Sequence, residues 1–295
     1  MKNGERLKLK LDNLCVIKNS NEILIPLSDI SMIILEGDHT SITTKILAAI
    51  SKYHIGLLIC DDRYLPCGQY LGFGQYHRGA KRAMQQSNWT IIQKQNIWTK
   101  IVSQKIYNQI CVLKRLELEV YRIKMMEGML EDLLLGDDSN REGHAAKVYF
   151  NTLFGFGFSR EDEVYPNYCL NYGYSIIRAQ TARCVSALGL LPMLGVFHRN
   201  EYNSYNLVDD LMEPFRPIVD YYVYMNLLDD KEEFLTYEKR LSLINILNHK
   251  IVVNNKKEFI DNAIYNFVNS FIKSMESNNH NFLDLISVNN YLGDE

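Results

Sequence analysis

The most informative part of this sequence is the stretch from residue 139 to residue 217. It opens with Ser139-Asn-Arg-Glu-Gly-His-Ala-Ala-Lys-Val-Tyr-Phe150 and closes with Phe197-His-Arg-Asn200 and Asp209-Asp-Leu-Met-Glu-Pro-Phe-Arg-Pro217. Between these segments lie Asn171-Tyr-Gly-Tyr174 and Gly189-Leu-Leu-Pro-Met-Leu-Gly195. A Glu, a His and an acidic cluster each stand at the end of an expected element, so they could converge on one divalent cation. Carboxylates with a single imidazole suit Mn²⁺ or Mg²⁺ better than zinc, and the stretch therefore predicts such a metal site.

Two of these candidates have an ordinary structural alternative. Ser139 and Glu142 stand three residues apart before an apolar helical face, which is the pattern of a capping box. Glu142 could therefore serve only to cap its helix, a contribution of about 1 kcal/mol or less. His198 could equally be a structural histidine, since a lone histidine usually is. From local sequence alone both roles remain open.

Composition favours a globular protein that does not enter a membrane. The chain has 295 residues, of which 47% are hydrophobic and 11% aromatic, and this is ample for a buried core. No apolar run approaches the roughly 20 residues that span a bilayer, and the first residues lack a secretory signal, so a cytoplasmic location is expected. The six cysteines form no Cys-x-x-Cys pair, which disfavours a zinc knuckle and indicates reduced core thiols.

The small net charge of −3 conceals two segments of opposite sign. Residues 71–130 carry ten basic and three acidic side chains, whereas residues 206–238 carry two basic and nine acidic ones. The first segment would attract a polyanion and part of the second would attract cations. Solvated helix faces would explain the same counts.

The order of hydrophobic patterns predicts an α+β fold with a small N-terminal β-rich domain, residues 1–75, and a larger, mostly α-helical catalytic domain, residues 76–295. Alternating apolar positions in residues 5–35 predict an antiparallel meander, and a helix and a hairpin follow before residue 70. The glycine-rich connector Gly72–Gly79 is the best domain boundary. A domain of about 75 residues buries little apolar area and exposes sheet edges, so we expect two copies to meet there.

Helical spacing dominates the remainder of the chain. It predicts helices over residues 91–110, 112–135, 171–188, from 218 onward and over 255–275, with a break at Gly136–Asn140. The asparagine-rich tail from Ser277 is expected to be a frayed end with one short turn.

The four motifs of residues 139–217, in this order and at this spacing, resemble the CRISPR-associated adaptation integrases, the Cas-one (Cas1) family. They are Glu-Gly-x-Ala-Ala-x-x-Tyr-Phe, Asn-Tyr-Gly-Tyr, Gly-Leu-x-Pro-x-x-Gly-x-x-His and Asp-Leu-Met-Glu-Pro-Phe-Arg-Pro. The chain's length and compact ends resemble the type II branch. Outside residues 139–220 the resemblance rests on overall layout.

The resemblance implies an enzyme that inserts foreign DNA fragments into a CRISPR array by attack of a fragment 3′-hydroxyl on a repeat phosphodiester. It implies Mg²⁺ or Mn²⁺ as cofactor, with Glu142, His198 and Glu213 as metal ligands and catalytic residues. Asp210 would support those ligands or serve as an alternate ligand, and Asp209 would support them without binding the metal. His144 matches no motif position and is not expected to bind the metal.

The implied partners are double-stranded DNA, the small Cas-two (Cas2) protein, a second copy of the chain in a homodimer within a larger complex, and possible contacts with the type II RNA-guided nuclease and its accessory protein. The candidate DNA-binding residues are basic side chains near the connector and the motifs: Arg78, Lys81, Arg82, Lys147 and Arg199.

Two other functions remain open on the sequence. A metal-dependent nuclease or resolvase would hydrolyse branched DNA with water as nucleophile. A DNA-binding scaffold without catalytic activity would use Glu142 only as a cap and His198 only for packing.

Overall fold

The computed structural model describes residues 5–37, 39–72, 76–228 and 234–294. The chain divides into two compact units, Met1–Gln85 with Ala182–Leu191, and Gln86–Thr181 with Pro192–Glu295. Strands dominate the first unit and helices the second, so the expected α+β class is confirmed. Residues 73–75, where the expected boundary at residue 75 and part of the connector fall, lie outside the described residues.

Two sheets form the first unit. One has the strand order β3-β2-β1-β5 and the other the order β4-β6-β7. The strands are β1 Arg6–Lys10, β2 Asn13–Lys18, β3 Asn21–Pro26, β4 Met32–Leu35, β5 Ser41–Ile42, β6 Gly56–Cys60 and β7 Pro66–Tyr70. The expected meander is correct for β1 to β3, but β4 leaves it and pairs in parallel with β6. Parallel pairing needs a crossover, and helix α1, Thr44–Lys52, lies within that connection.

The core of this unit combines the apolar residues that alternate along the strands with those on one face of helix α1. Leu7 and Leu14 from the first sheet are buried with Ile46 and Ile50 from α1, which lie four residues apart on one helical face. Leu11, which continues the alternation in the sequence, is 85% exposed because it stands in the turn between β1 and β2 with a φ of 51°. Because of this turn, the alternation of buried and exposed side chains ends two residues earlier than the sequence pattern predicts.

Helix α3 is the longest element of the second unit. It runs without interruption from Ile91 to Arg115, so the expected break near residue 111 is wrong. Cys111, Val112 and Leu113 are all buried, which removes any reason for the helix to end there. The other α-helices of the described residues, in both units, are α2 Gly79–Ser87, α4 Val120–Glu131, α5 Arg141–Phe154, α6 Tyr165–Ala187, α7 Asn206–Met212, α8 Arg216–Leu227, α9 Tyr237–Asn245 and α10 Ile260–Ser277. Among the described residues, no helix combines the length and the apolarity needed to cross a membrane.

The C-terminal region is an ordered part of the second unit, and the expected frayed tail is wrong. Strands β8 Lys250–Val253, β9 Lys256–Phe259 and β10 Tyr291–Gly293 form a sheet in the order β10-β8-β9. The segment before β10 packs against α3, where Gln104 and Asn108 act as its hydrogen-bonding partners. Asn108 donates to Ile286 O at 2.9 Å and accepts from Val288 N at 3.1 Å, while Gln104 accepts from Ile286 N at 3.0 Å. Polar side chains of a buried helix therefore replace a strand partner for this segment.

Replacement of Asn108 by Ala will lower the free energy of unfolding by at least about 3 kcal/mol. The change leaves buried backbone groups of the tail without partners, together with Pro214 O, which also accepts from Asn108 at 2.9 Å. Urea denaturation measures the loss. Asn226→Ala removes an exposed amide that donates to Tyr222 O in its own helix, and it should change the unfolding free energy by less than about 0.5 kcal/mol. Equal effects of the two changes would contradict the docking role of Asn108.

Candidate active site

The candidate site is built on the middle of helix α3, where Lys105 is buried. Its ammonium lies 2.5 Å from Glu142 Oε1 and also forms an ion pair with Glu213 Oε2. The Lys105 side chain is only 8% exposed and that of Glu213 only 4%. Burial opposes the charge of Lys105, but the two carboxylates raise its pKa above the ordinary value. One lysine thus joins the two carboxylates that the sequence proposed as metal ligands.

Glu142 lies in the first turn of helix α5, but its side chain does not cap the helix. Asn140 has a φ of 51° at the N-terminus of the helix, and its side chain makes no capping hydrogen bond. The cap is Asp137, whose carboxylate accepts from Arg141 N at 2.7 Å and from Glu142 N at 3.1 Å. The capping-box hypothesis for Ser139 and Glu142 is therefore wrong. Because Asp137 satisfies the helix terminus, the Glu142 side chain is free to reach Lys105.

Glu213 lies where the acidic cluster changes helical geometry. It begins a single 3-10 turn, Glu213–Phe215, between α7 and α8, because Pro214 cannot donate a backbone hydrogen bond. Arg216, one turn further on, forms an ion pair with Glu213 at 3.1 Å. Burial opposes ionisation of Glu213, but the charges of Arg216 and Lys105 bring its pKa below the ordinary value. Glu213 is therefore held as a carboxylate inside the helical unit.

His198 is held by Asp210, a completely buried carboxylate of α7. Asp210 Oδ1 lies 2.7 Å from His198 Nδ1, and its two oxygens also accept the backbone N–H groups of Val196, Phe197 and His198. The hydrogen bond to Asp210 raises the pKa of His198, and the negative charge of Glu213 contributes in the same direction. With Nδ1 directed at Asp210, Nε2 is the nitrogen available to a ligand.

The loop before His198 can wrap Asp210 only because residue 195 is glycine. A Cβ at Gly195 would lie 2.4 Å from His198 O and 2.8 Å from Asp210 Oδ2, both far inside normal contact distance. On the other side of the loop, the rings of Trp98 and Phe197 stack at 4.3 Å, and the edge of Trp98 meets His198. Trp98 belongs to α3, so the helix that carries Lys105 also supports the histidine.

Asp209 and Asp210 are adjacent in sequence but have different partners. Asp209 receives two hydrogen bonds from Arg178, at 2.7 and 3.0 Å, and one from Asn203 at 2.7 Å. It contributes to the raised pKa of His198 only through its charge. Asp210 orients the histidine directly, and Asp209 supports the neighbouring loop.

The candidate DNA-binding residues are divided between the two units. Arg78 and Lys81 are exposed in the first unit, where Arg82 stacks on Tyr76 with its guanidinium carbon 5.3 Å from the ring centre. Lys147 and Arg199 are exposed in the second unit, and so is His144, which takes no part in the site.

The basic surplus of residues 71–130 is smaller on the surface than in the sequence. Lys105 is buried against carboxylates, and Arg115 donates to Val288 O and Tyr291 O. Lys114 and Arg122 pair with Glu127 and Glu119. Several of the ten basic side chains therefore have partners within the protein, and the count overstated the charge offered to a polyanion.

Sequence reasoning did not assign functional roles to Lys105, Asp137 or Arg216. A signal for Lys105 exists in hindsight, since it occupies a position between Val102 and Ile106 on a helix that is buried on nearly every side. A lysine at such a position requires carboxylate partners, because an unpaired buried charge is strongly destabilising.

The residues fit a divalent cation of the Mg²⁺ or Mn²⁺ type by their chemistry. Glu142 and Glu213 supply oxygen donors from two helices, and His198 supplies one nitrogen whose orientation is fixed by a carboxylate, as metal-binding histidines usually require. Glu213 Oε2 is buried and, within the described part of the chain, accepts no hydrogen bond of normal geometry. Over the same residues, no three His, Cys, Asp or Glu side chains are already grouped as a metal site, and the Lys105 ammonium pairs with both glutamates.

A further buried carboxylate, Asp220, lies near Arg216. Asp220 accepts a hydrogen bond from Tyr174, and the Arg216 guanidinium lies 4.9 Å from the centre of the Tyr174 ring. Burial raises the pKa of Asp220 to about 6. Tyr172 and Tyr174 of the Asn-Tyr-Gly-Tyr motif are buried core residues. The intervening Gly173 permits close approach of α8, because a Cβ there would lie 2.5 Å from a methyl group of Val219.

Asp220 will make the protein less stable as the pH rises from about 4 to about 6. Its pKa is higher in the folded protein than in the unfolded chain, so the folded protein binds the proton more tightly and loses up to about 3 kcal/mol of unfolding free energy across this window. Urea denaturation at several pH values should show this component in the wild type and in the exposed control Asp62→Asn. It should be absent in Asp220→Asn, and its persistence there would assign it to another group.

The family assignment follows from comparison of the whole chain. The family described as "CRISPR associated protein Cas1" matches residues 1–252. A CRISPR-associated endonuclease Cas1 from Neisseria meningitidis is 37% identical over 288 residues, which cover 97% of this chain and 94% of the relative.

Solved structures share the same fold at low sequence identity. A chain of a Cas6-RT-Cas1–Cas2 complex superposes with a TM-score of 0.71 at 17% identity over 96% of this chain, although this chain spans only 35% of that longer one. A casposase bound to an integration product superposes with a TM-score of 0.66 at 19% identity, covering 94% of this chain and 89% of the casposase.

Fold and site together define a two-unit α+β protein whose helical unit buries a lysine between two glutamates beside an aspartate-bound histidine. The chain belongs to the Cas1 family of CRISPR-associated proteins, and the resemblance seen in residues 139–217 is confirmed.

Proposed function

We propose that this protein is a metal-dependent DNA integrase that inserts foreign DNA fragments into a CRISPR array. The observation that carries the proposal is the convergence of Glu142 and Glu213 on one buried position, beside a histidine fixed by Asp210, in a chain of the Cas1 family. The endonuclease name of the Neisseria relative and the integration product bound to the casposase support the same chemistry.

In the proposed reaction, a fragment 3′-oxygen forms a bond to a phosphorus of the repeat while the bond from that phosphorus to the repeat's own 3′-oxygen breaks. A bound Mg²⁺ or Mn²⁺ would lower the pKa of the attacking hydroxyl and neutralise charge on the phosphoryl oxygens. Glu142, Glu213 and His198 would hold this ion. The proton of the attacking hydroxyl passes to solvent, and the repeat's 3′-oxygen leaves and takes up a proton from solvent, so that one hydroxyl is consumed and one is formed.

The surrounding residues prepare these three ligands. Asp210 keeps His198 Nδ1 occupied, so that Nε2 is presented in one orientation. Asp137 caps α5 and thereby leaves the Glu142 side chain free. Arg216 keeps Glu213 ionised inside the protein. Each contact raises the fraction of molecules in which the ligands are ready for a cation.

The proposed partners follow from the family and from the neighbouring structures. Double-stranded DNA is the substrate, both as fragment and as repeat, and Cas2 is the partner protein, as it is in the Cas6-RT-Cas1–Cas2 complex. A homodimer formed through residues 1–75 would supply two sites for the two ends of a fragment. The type II branch would add the RNA-guided nuclease and its accessory protein.

Glu213→Gln will reduce Mn²⁺-dependent strand transfer by at least about 100-fold, because it keeps the shape of the side chain and removes its charge. Asp210→Asn should reduce transfer by about 10- to 100-fold, since Asp210 acts through His198, and Asp209→Asn should have the smallest effect of the three. The assay measures covalent joining of a fragment with a 3′-hydroxyl end to a supercoiled plasmid that carries the repeat.

The control for this series is Glu127→Gln, which removes an exposed carboxylate paired with Lys114. It should leave strand transfer unchanged, and all variants should bind DNA within a few fold of the wild type, because phosphate contacts elsewhere supply most of the affinity. If Asp209→Asn reduces strand transfer more than Glu213→Gln does, the metal ligand is Asp209, one helical turn before Glu213. A branched substrate that is cut but never rejoined by the wild type would favour a resolvase.

Charge reversal of Arg78 and Lys81 will weaken DNA binding uniformly across sequences. Each lost phosphate contact should flatten the slope of log affinity against log salt by about one. Fluorescence anisotropy at several salt concentrations measures this slope. Lys45→Glu, an exposed reversal on α1 in the same unit, is the matched control and should leave the slope unchanged. If both reversals leave the slope unchanged, Arg78 and Lys81 do not contact DNA phosphates and belong to an ordinary solvated surface.

A further inference from the structure

We propose that Lys105 is an internal counter-ion that competes with the divalent cation for Glu142 and Glu213, and so sets how tightly the site binds metal. The inference rests on the proposed function, because it concerns the same pair of carboxylates. It assigns a role to a residue outside the three ligands and outside the four motifs of residues 139–217.

The contacts of Lys105 place its charge where a bound cation would need to be. Its ammonium is 2.5 Å from Glu142 Oε1 and is ion-paired with Glu213 Oε2, and those two carboxylates come from different helices. A cation that binds both glutamates must occupy the space between them. Two positive charges at such short distances from the same oxygens repel one another, so one must withdraw.

Lys105 is suited to withdraw, whereas Arg216 is suited to remain. A lysine carries a point charge on a flexible four-carbon stem, and its ion pairs lack the bidentate geometry that fixes arginine. Arg216 pairs with Glu213 Oε1 at 3.1 Å, whereas the closest approach of Lys105 is to the other oxygen, Oε2. Glu213 therefore keeps one counter-charge when Lys105 leaves, and the exchange does not expose a bare buried carboxylate.

The position of Lys105 on α3 also links metal binding to folding. Without a cation, its ammonium is the shared counter-charge of Glu142 and Glu213, so its removal leaves carboxylates that repel each other. A metal ion would relieve that repulsion. Loss of Lys105 should therefore destabilise the metal-free protein and increase its stabilisation by metal.

The test replaces Lys105 by Met, which keeps the length and apolar stem of the side chain and removes the charge. Isothermal titration of the DNA-free protein with Mn²⁺ should show binding at least about tenfold tighter than in the wild type, since no ammonium must be displaced. The melting temperature without metal should fall, and Mn²⁺ should raise it more than in the wild type.

Two further variants make the result specific. Lys114→Met removes another lysine of α3 that pairs with a glutamate, but on an exposed surface, and it should leave Mn²⁺ affinity unchanged. Lys105→Arg keeps the charge and should bind Mn²⁺ no more tightly than the wild type. If Lys105→Met is unfolded without metal, refolding followed by circular dichroism during a Mn²⁺ titration replaces the melting experiment, and failure to refold would overturn the proposal.

The outcomes separate this inference from the proposed function. Suppose that the wild type binds Mn²⁺ and joins DNA, but Lys105→Met binds Mn²⁺ no more tightly than the wild type. That result would overturn the proposed competition and leave the integrase proposal intact. A wild type and a Lys105→Met variant that both fail to bind Mn²⁺ would overturn the metal site itself. Tighter binding in Lys105→Met alone supports the competition.

Discussion

The site depends on the burial of one lysine charge between two glutamates. Taking Lys105 out of water is unfavourable, and the close approach of Glu142 and Glu213 compensates for it. The same requirement fixes the elements that carry the carboxylates, since α5 must begin and the 3-10 turn before α8 must form where their side chains reach the middle of α3. Helix α3, which is buried along most of its length, thus holds the lysine that both carboxylates contact.

Asp210 plays the corresponding role for the histidine. One buried carboxylate accepts three consecutive backbone N–H groups and the His198 ring, which fixes both the course of the loop and the orientation of the imidazole. This explains why residue 195 must be glycine, because a side chain there would meet both His198 and Asp210. The Gly-x-x-His spacing and Asp210 therefore act together to hold the histidine in one orientation.

The sequence predicted the fold class and the family, because both depend on patterns that are local in the chain. It was wrong where a long-range contact decided the outcome. The tail after Ser277 is polar and asparagine-rich in sequence, yet it is ordered because Gln104 and Asn108 on α3 satisfy its backbone. The N-terminus of α5 is a local case: the capping box of Ser139 and Glu142, which the sequence left open, does not form, because Asp137 of the preceding turn accepts from Arg141 N and Glu142 N.

What the sequence by itself determined is the set of chemical groups: two glutamates, a histidine and an aspartate at element ends, with the glycines that permit tight approach. Only the tertiary structure decided how their charges are balanced. Lys105 appears in the sequence as one of ten basic residues of a segment that would attract a polyanion, and folding buries it against Glu142 and Glu213. The physical reason is that a charge count along a chain treats every charged side chain as exposed to solvent. The partner of a buried charge depends instead on which helices pack together.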